Sequence, residues 1–317
     1  MAYDLVTWSP RIGATGDDKY NVPAATVLAA GSTAGYSATP TIAEINAGSG
    51  LNQIVAAVKR RIRTYNSLFG TSITEPSYVS SAANVISSGD FGSIQSAIND
   101  VRENEGFAAY TYSSTYSGLL VSNHIAQLRK ALTIDGTLKV GEATGVFPSY
   151  IKSGYNRTDS PYGTATSEAF SASNILTAIG KNGVAGTVTR HRALVHFNIP
   201  EWLSACATAT YNVKPLTYSS TETVTAEARF SATDDSVDNL SPAYGGTAYN
   251  GVSSIGAFDH TLTTVIPIIM TTSDITSRAG TRLSTTLFTS QERDQTGTGG
   301  NFANHYTVES VYLEVTF

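Results

Sequence analysis

At 317 residues the chain exceeds the usual size of one domain, so two domains, or one large domain with an extension, are expected. Hydrophobic residues at 41% and aromatics at 9% suffice for a sizeable core and exclude disorder over most of the length. Charged residues are only 14%, with a net charge of −5, which gives no basic footprint for a nucleic-acid binder.

Cys206 is the sole cysteine, so neither a disulfide framework nor a multi-cysteine zinc site is open to this chain. The opening MAYDLVTWSP has no apolar run, and no stretch approaches a membrane span in length, so neither a secretory leader nor a membrane helix is expected.

Residues 1–40 read as an extended arm. Gly, Pro, Ala, Ser and Thr dominate, and Pro10, Pro23 and Pro40 interrupt any helix. Trp8 and Tyr20 are large apolar residues in a stretch too irregular for a core of its own. The arm is either a loose terminus or a strap ordered by a neighbouring subunit.

Residues 41–140 show helical periodicity three times. Leu51, Ile54, Val55, Val58 and Ile62 form one stripe, with Lys59, Arg60, Arg61 and Arg63 crowding its last turns and Gly70 as the stop. That basic run reads as a solvated helix end rather than a DNA contact. Phe91, Ile94, Ile98 and Val101 form the second stripe, capped by Asp90 and ending at Gly106. Ile125, Leu128 and Leu132 form the third, capped by Ser122 or Asn123 and ending near Gly136. Ile98-Asn99-Asp100-Val101-Arg102 and Ile125-Ala126-Gln127-Leu128-Arg129 share a frame, which makes a short internal repeat of helices. Tyr110, Tyr112 and Tyr116 alternate with small residues between them and predict a β excursion.

Residues 145–317 change to period two. Runs at Ala193–Phe197, Ala209–Val213, Val224–Phe230, Thr263–Ile268 and Val308–Phe317 read as strands, with Val311, Leu313 and Val315 sharing one face of the last. Short strands between Gly, Ser, Thr and Asn turns indicate an antiparallel β-sandwich of jelly-roll type. The fold class is α+β multidomain: an arm, a small helical region for attachment, then the sandwich.

Two motifs carry a resemblance. His124-Ile125-Ala126-Gln127-Leu128-Arg129 resembles the "Ile-x-Ala-x-His-Ile-Asn-Glu-Leu-Arg" helix repeats of phage tail and fibre proteins, with Gln127 where the acidic residue stands. Arg192-Ala193-Leu194-Val195-His196-Phe197-Asn198-Ile199-Pro200 is similar to the "Arg-x-Leu-x-x-Phe-Asp-(Ile/Leu)-Pro" strand of the DNRLRE-type jelly-roll module, with Asn198 in place of Asp. The resemblance implies a bacteriophage virion protein: a head or tail fibre, a spike or a decoration protein, assembled in the host cytoplasm.

His124, His191, His196, His260 and His305 form no metal-binding motif, and Cys206, flanked by Ala205 and Ala207, reads as a small buried thiol. Gly297-Thr298-Gly299-Gly300-Asn301 precedes no helix that would hold a phosphate and reads as a mobile loop. Asp234, Asp235 and Asp238 would give oxygen ligands to a structural Ca²⁺, with a solvated turn as the alternative. Tyr244, Tyr249 and Asn250 lie in a long Gly/Asn/Ser loop and match the inventory of a sugar-binding face, as do Tyr155, Asn156 and Tyr162. The alternative is that these tyrosines pack at loop bases or subunit interfaces. Asp259, Glu292 and Asp294 are the loop carboxylates a glycosidase would recruit.

The sequence therefore reads as a non-enzymatic structural virion protein without a cofactor, apart from the Ca²⁺ candidate. Its expected partners are copies of itself, with a trimer as the usual state of phage fibres, other capsid, portal or tail proteins, and host-surface polysaccharide. The rivals are a secreted or surface carbohydrate-binding module and a glycan-hydrolysing spike.

Overall fold

In the computed structural model the described residues are 5–134, apart from 14, 24, 25, 27, 34, 81–85, 115, 117 and 119, and then 146–148, 150–159, 165–171, 178–184, 187–220, 226–230, 254–258, 264–289 and 302–316. The chain divides into two units. One is Met1–Leu138 with Pro200–Ala205 and Phe317; the other is Lys139–Ile199 with Cys206–Thr316. The first is built on helices and the second on antiparallel strands, so the protein is mixed α+β.

The helices of the first unit are α1 (Ile42–Ala47), α2 (Gly50–Phe69), α3 (Ser88–Asn104) and α4 (Ser122–Ala131). A capping box starts α1: Thr41 Oγ1 accepts from the Glu44 amide and Glu44 Oε2 accepts from the Thr41 amide. Helix α2 has no side-chain cap. Its Leu51 and Asn52 amides donate instead to the carbonyls of Ala29 and Ala30, at 3.1 and 2.7 Å. That crossing requires Gly31 and Gly50, both at positive φ; a Cβ on Gly31 would lie 2.0 Å from the Ser49 carbonyl. Gly70 ends α2 in the left-handed region, at φ 67°. Ser87, rather than Asp90, caps α3: its hydroxyl accepts from the Asp90 amide, so the helix starts one turn earlier than the apolar stripe implies. In α4 the expected caps fall within the first turn, and His124 Nδ1 accepts from the Val121 amide instead.

Where composition predicts an arm without a core, the structure buries Trp8, Tyr20 and Val22, each at 3% exposure, in one cluster with Leu51, Ile54, Val58, Ile62, Phe91, Ile98 and Leu128. The arm needs no core of its own because the helical stripes supply the facing surface. The β excursion expected between α3 and α4 is also replaced. Among the described residues no strand forms there, and residues 107–113 have no ladder partner.

The second unit holds β1 (Val146–Pro148), β2 (Tyr150–Asp159), β3 (Ala165–Ser171), β4 (Ala178–Val184), β5 (Thr187–Asn198), β6 (Thr208–Ser220), β7 (Ala226–Phe230), β8 (Ser254–Phe258), β9 (Ile266–Met270), β10 (Arg282–Thr289) and β11 (Phe302–Thr316), with a short helix, α5 (Thr272–Thr276), after β9. All described pairs are antiparallel, in the order β8-β7-β10-β5-β4-β11-β6-β9; β1 adds to β11, and β2 pairs with both β5 and β3. Two long strands change partner midway. Along one edge of β5, Thr187–His191 pair with β4 and Ala193–Asn198 with β10. Along one edge of β11, Phe302–Thr307 pair with β4 and Tyr312–Glu314 with β1.

Burial follows the two-residue period. Val195 and Phe197, Ala209, Tyr211 and Val213, Leu283, Thr285 and Leu287, and Val311, Leu313 and Val315 are all buried. Phe197 meets Tyr211 edge-on at 5.7 Å, and the Tyr211 hydroxyl lies 2.8 Å from Thr285 Oγ1. Thr285 Oγ1 has its one proton on the Val195 carbonyl, so Tyr211 is the donor of that pair. Pro267 sits in β9, which ends the strand path, where a missing N–H is tolerated.

Candidate functional site

The densest charge in the sequence, the Lys59–Arg63 run of α2, is not a solvated helix end. Lys59 Nζ lies 3.0 Å from Glu75 Oε2, and Arg63 Nε lies 2.6 Å from Glu75 Oε1. Arg60 forks onto Glu201 at 2.5 and 3.2 Å and also donates to the Pro40 carbonyl. Arg61, 4% exposed, holds Glu105 through Nε at 3.0 and 3.1 Å and donates to the Leu132 carbonyl at 2.7 Å. Carboxylates distant in sequence meet each cation, so the run is committed to ion pairs, with Arg61 buried and Lys59, Arg60 and Arg63 half-buried.

These pairs differ electrostatically. The hydrogen bond from Arg63 holds the Glu75 carboxyl below the usual range, with Lys59 adding to the effect. Burial instead pushes Glu105 up, despite the opposing attraction of Arg61. Tyr65, which donates to the Asn104 carbonyl, is pushed up to about 12 by burial and by Glu105. The segment Pro200–Ala205 belongs to this unit: Glu201 pairs with Arg60, and Trp202 lies edge-on to Phe107 at 4.9 Å.

A second set of polar side chains holds main chain. Asn52, Asn66 and Asn99 each take both the N–H and the C=O of one residue outside the helices: Val79, Ile73 and Tyr110 respectively. Each amide does for a strandless segment what a ladder neighbour does in a sheet. The repeat frame places Arg102 and Arg129 alike. Arg102 donates to the carbonyls of Ala108, Ala131 and Thr133, and Arg129 to those of Ser9, Pro10 and Tyr20. Gln53 reaches the Thr7 and Ile45 carbonyls, and Gln127 accepts from the Ser113 amide.

An open groove of about 510 Å³ lies between residues 74–77 and α3. Thr74, Ser77, Ser93 and Ser96 line it with hydroxyls, Asp90 and Asp100 with carboxylates, and Gly92 and Ala97 leave the space. Ser93 Oγ donates to the Gly89 carbonyl and Ser87 Oγ to Asp90 Oδ2. This lining can hydrogen-bond a polar ligand.

The sequence-derived candidates are distributed otherwise. Tyr244, Tyr249 and Asn250, and Asp234, Asp235 and Asp238, lie outside the described residues, as do Tyr162, Asp259, His260, Glu292, Asp294 and the 297–301 loop. Tyr155 and Asn156 stand on β2, opposite Arg192 and His191 of β5. Cys206 is buried, and burial pushes its thiol up, away from the reactive thiolate. Among the described residues, no group of three or more His, Cys, Asp or Glu side chains could hold a metal ion, and no helix is long and apolar enough to cross a membrane.

No protein-family model matches the chain, and no curated protein matches it.

Proposed function

We propose that the chain is a structural, non-enzymatic protein of a bacteriophage virion: a head or tail fibre, a spike or a decoration protein. Its helical part attaches to capsid, portal or tail proteins, and residues 145–317 form a displayed jelly-roll sandwich. The protein works as a homo-oligomer, with a trimer as the first arrangement to test. The carrying observation is the use made of buried and half-buried polar groups in the helical unit. Arg61 and Arg102 bind the carbonyls of Leu132, Ala131 and Thr133 at the end of α4, and Asn52, Asn66 and Asn99 bind main-chain groups of segments outside the helices. Groups disposed in this way hold a shape under load and present no reacting centre of their own.

The sandwich reading is supported by the partner exchange along β5 and β11, the behaviour of strands that pass between two layers. The contact of Tyr211 on β6 with Thr285 on β10 supports it too, since it joins strands that do not pair with each other. The loop residues Tyr244, Tyr249 and Asn250 remain the proposed glycan contact. Asp234, Asp235 and Asp238 remain the proposed Ca²⁺ ligands.

Mass spectrometry of gradient-purified particles tests the reading. The chain should be present at a fixed copy number, and the isolated protein should elute as an oligomer. Absence from purified particles would refute the virion role. Release of oligosaccharide from host polysaccharide by the pure chain would replace it with a hydrolytic spike.

A further inference from the structure

Arg129 lies in the last turn of α4 and is 1% exposed. Arg60, Arg61 and Arg63 each have a carboxylate partner, in Glu201, Glu105 and Glu75. Among the described residues Arg129 has none. Its Nη1 donates to the carbonyls of Pro10 at 2.8 Å and Tyr20 at 3.4 Å, and its Nη2 to that of Ser9 at 3.2 Å. The guanidinium stands 5.5 Å from the centre of the Trp8 ring. All four partners belong to the amino-terminal arm. At this same contact two buried donors, Arg129 Nε and Trp8 Nε1, have no acceptor.

We propose that the amino-terminal arm is a releasable strap, closed over α2 and α4 around the Arg129 guanidinium, whose buried charge has no counter-charge among the described residues and so favours opening. Closing the strap strips water from a full positive charge and offers it carbonyl dipoles and an aromatic face in return. Desolvation alone pulls the Arg129 pKa down to about 10, the direction expected for a cation that burial disfavours. Opening returns the guanidinium, its Nε–H and the Trp8 indole N–H to water.

Other contacts hold the strap shut. Trp8, Tyr20 and Val22 are buried, Asn46 Oδ1 accepts from the Thr7 amide, Gln53 Nε2 donates to the Thr7 carbonyl, and Lys130 pairs with Asp17 at 3.0 Å. The balance leaves the arm closed at rest, with an open state nearer in free energy than unfolding of the helices. Helix α2 has no such deficit, because its buried Arg61 is matched by Glu105.

Hydrogen exchange on the full chain tests this without any substitution. The amides of Thr7, Ser9 and Ile12 should exchange at least about tenfold faster than that of Val58 in α2, through an opening that leaves the helices closed. Exchange of both sets at one common rate would overturn the proposal.

Arg129→Met provides the second arm. Ser9 and Pro10 are exposed, so their carbonyls can take water when the guanidinium is gone. The variant should slow exchange at Thr7 and Ser9 by about tenfold and melt no lower than the parent, because an unmatched buried charge has been removed. Faster exchange, a lower melting temperature or failure to fold would each identify Arg129 as a net anchor and sink the proposal. Trp8→Phe, which deletes only the orphan N–H, should likewise leave the melting temperature unchanged or raised, and a fall would count against the strap.

Discussion

The side chain of Asn52 holds both hydrogen-bonding groups of Val79: Oδ1 accepts from its amide at 2.8 Å, and Nδ2 donates to its carbonyl at 2.7 Å. Asn52 is fully buried in the apolar first turn of α2, and Val79 lies in a stretch with no helix or ladder assigned to it. Asn52→Leu keeps the volume and removes both of these bonds, along with the partly buried one to the Gly31 carbonyl, leaving the two buried backbone groups of Val79 unpaired. We expect a loss of about 2–6 kcal/mol in denaturant unfolding, from two unsatisfied groups at about 1–3 kcal/mol each. Asn66→Leu should cost less, since its bonds to Ile73 are only partly buried. Equal costs at the two sites would show that burial does not set the strength of these clamps.

In the sheet unit, Tyr211 and Thr285 give an ordered pair of expectations. Tyr211→Phe removes one hydrogen bond and leaves Thr285 still donating to the Val195 carbonyl, so a loss of about 1 kcal/mol follows. Thr285→Val deletes both bonds and strands the Tyr211 hydroxyl in the core, so it should cost more than Tyr211→Phe. Thermal melts of the two variants decide the order, and the reverse ranking would contradict the donor assignment.

The strands and helices that periodicity marks are the ones whose burial is local. Leu51, Ile54, Val55, Val58 and Ile62 form the α2 stripe, and Val311, Leu313 and Val315 form the inner face of β11. Strand ends were less legible. The run read as Thr263–Ile268 is β9 at Ile266–Met270, and the run read as Ala209–Val213 extends in β6 to Ser220, because ladder pairing with β11 continues where side-chain alternation fades. The fate of the arm was not legible, since nothing local says that Trp8 and Tyr20 will meet the α2 and α4 stripes. The ion pairs of Arg60 and Arg61 join residues far apart in sequence, Glu201 and Glu105. A polar Asn52 inside an apolar stripe was the one visible sign of the amide clamps. The proposed glycan and Ca²⁺ residues rest on loop composition, which carries no pattern of pairing.

Two glycines separate backbone strain from steric conflict. Gly16 and Gly31 both have positive φ, at 59° and 77°. A Cβ on Gly16 meets nothing within 4 Å, so Gly16→Ala should cost about 1–2 kcal/mol, the penalty of a left-handed residue. On Gly31 it would lie 2.0 Å from the Ser49 carbonyl, and the loop carbonyls that cap α2 would have to move away. Gly31→Ala should therefore cost more than Gly16→Ala by at least about 1 kcal/mol, through the lost helix cap. Chemical denaturation of both variants reads the difference, and equal losses would mean that the Ala29–Gly31 crossing does not cap the helix.

Acid should weaken the helical unit through Glu75. Its carboxyl titrates below the usual range in the folded chain, chiefly because Arg63 donates to it, with Lys59 contributing. A group held below its unfolded pKa binds fewer protons when folded, so its contribution is complete above the ordinary carboxylate range. That contribution is lost as the pH falls through the folded value. Glu75→Gln keeps an acceptor for Arg63 and discards the charge. The variant should melt lower than the parent near neutral pH, and the two melting temperatures should converge as the pH falls below the ordinary carboxylate range. Glu105 is shifted the other way by burial, so it adds stability as the pH falls toward the ordinary carboxylate range and cannot produce that convergence. A gap between parent and Glu75→Gln that stays constant down to acid pH would show that the Arg63 pair does not couple to folding.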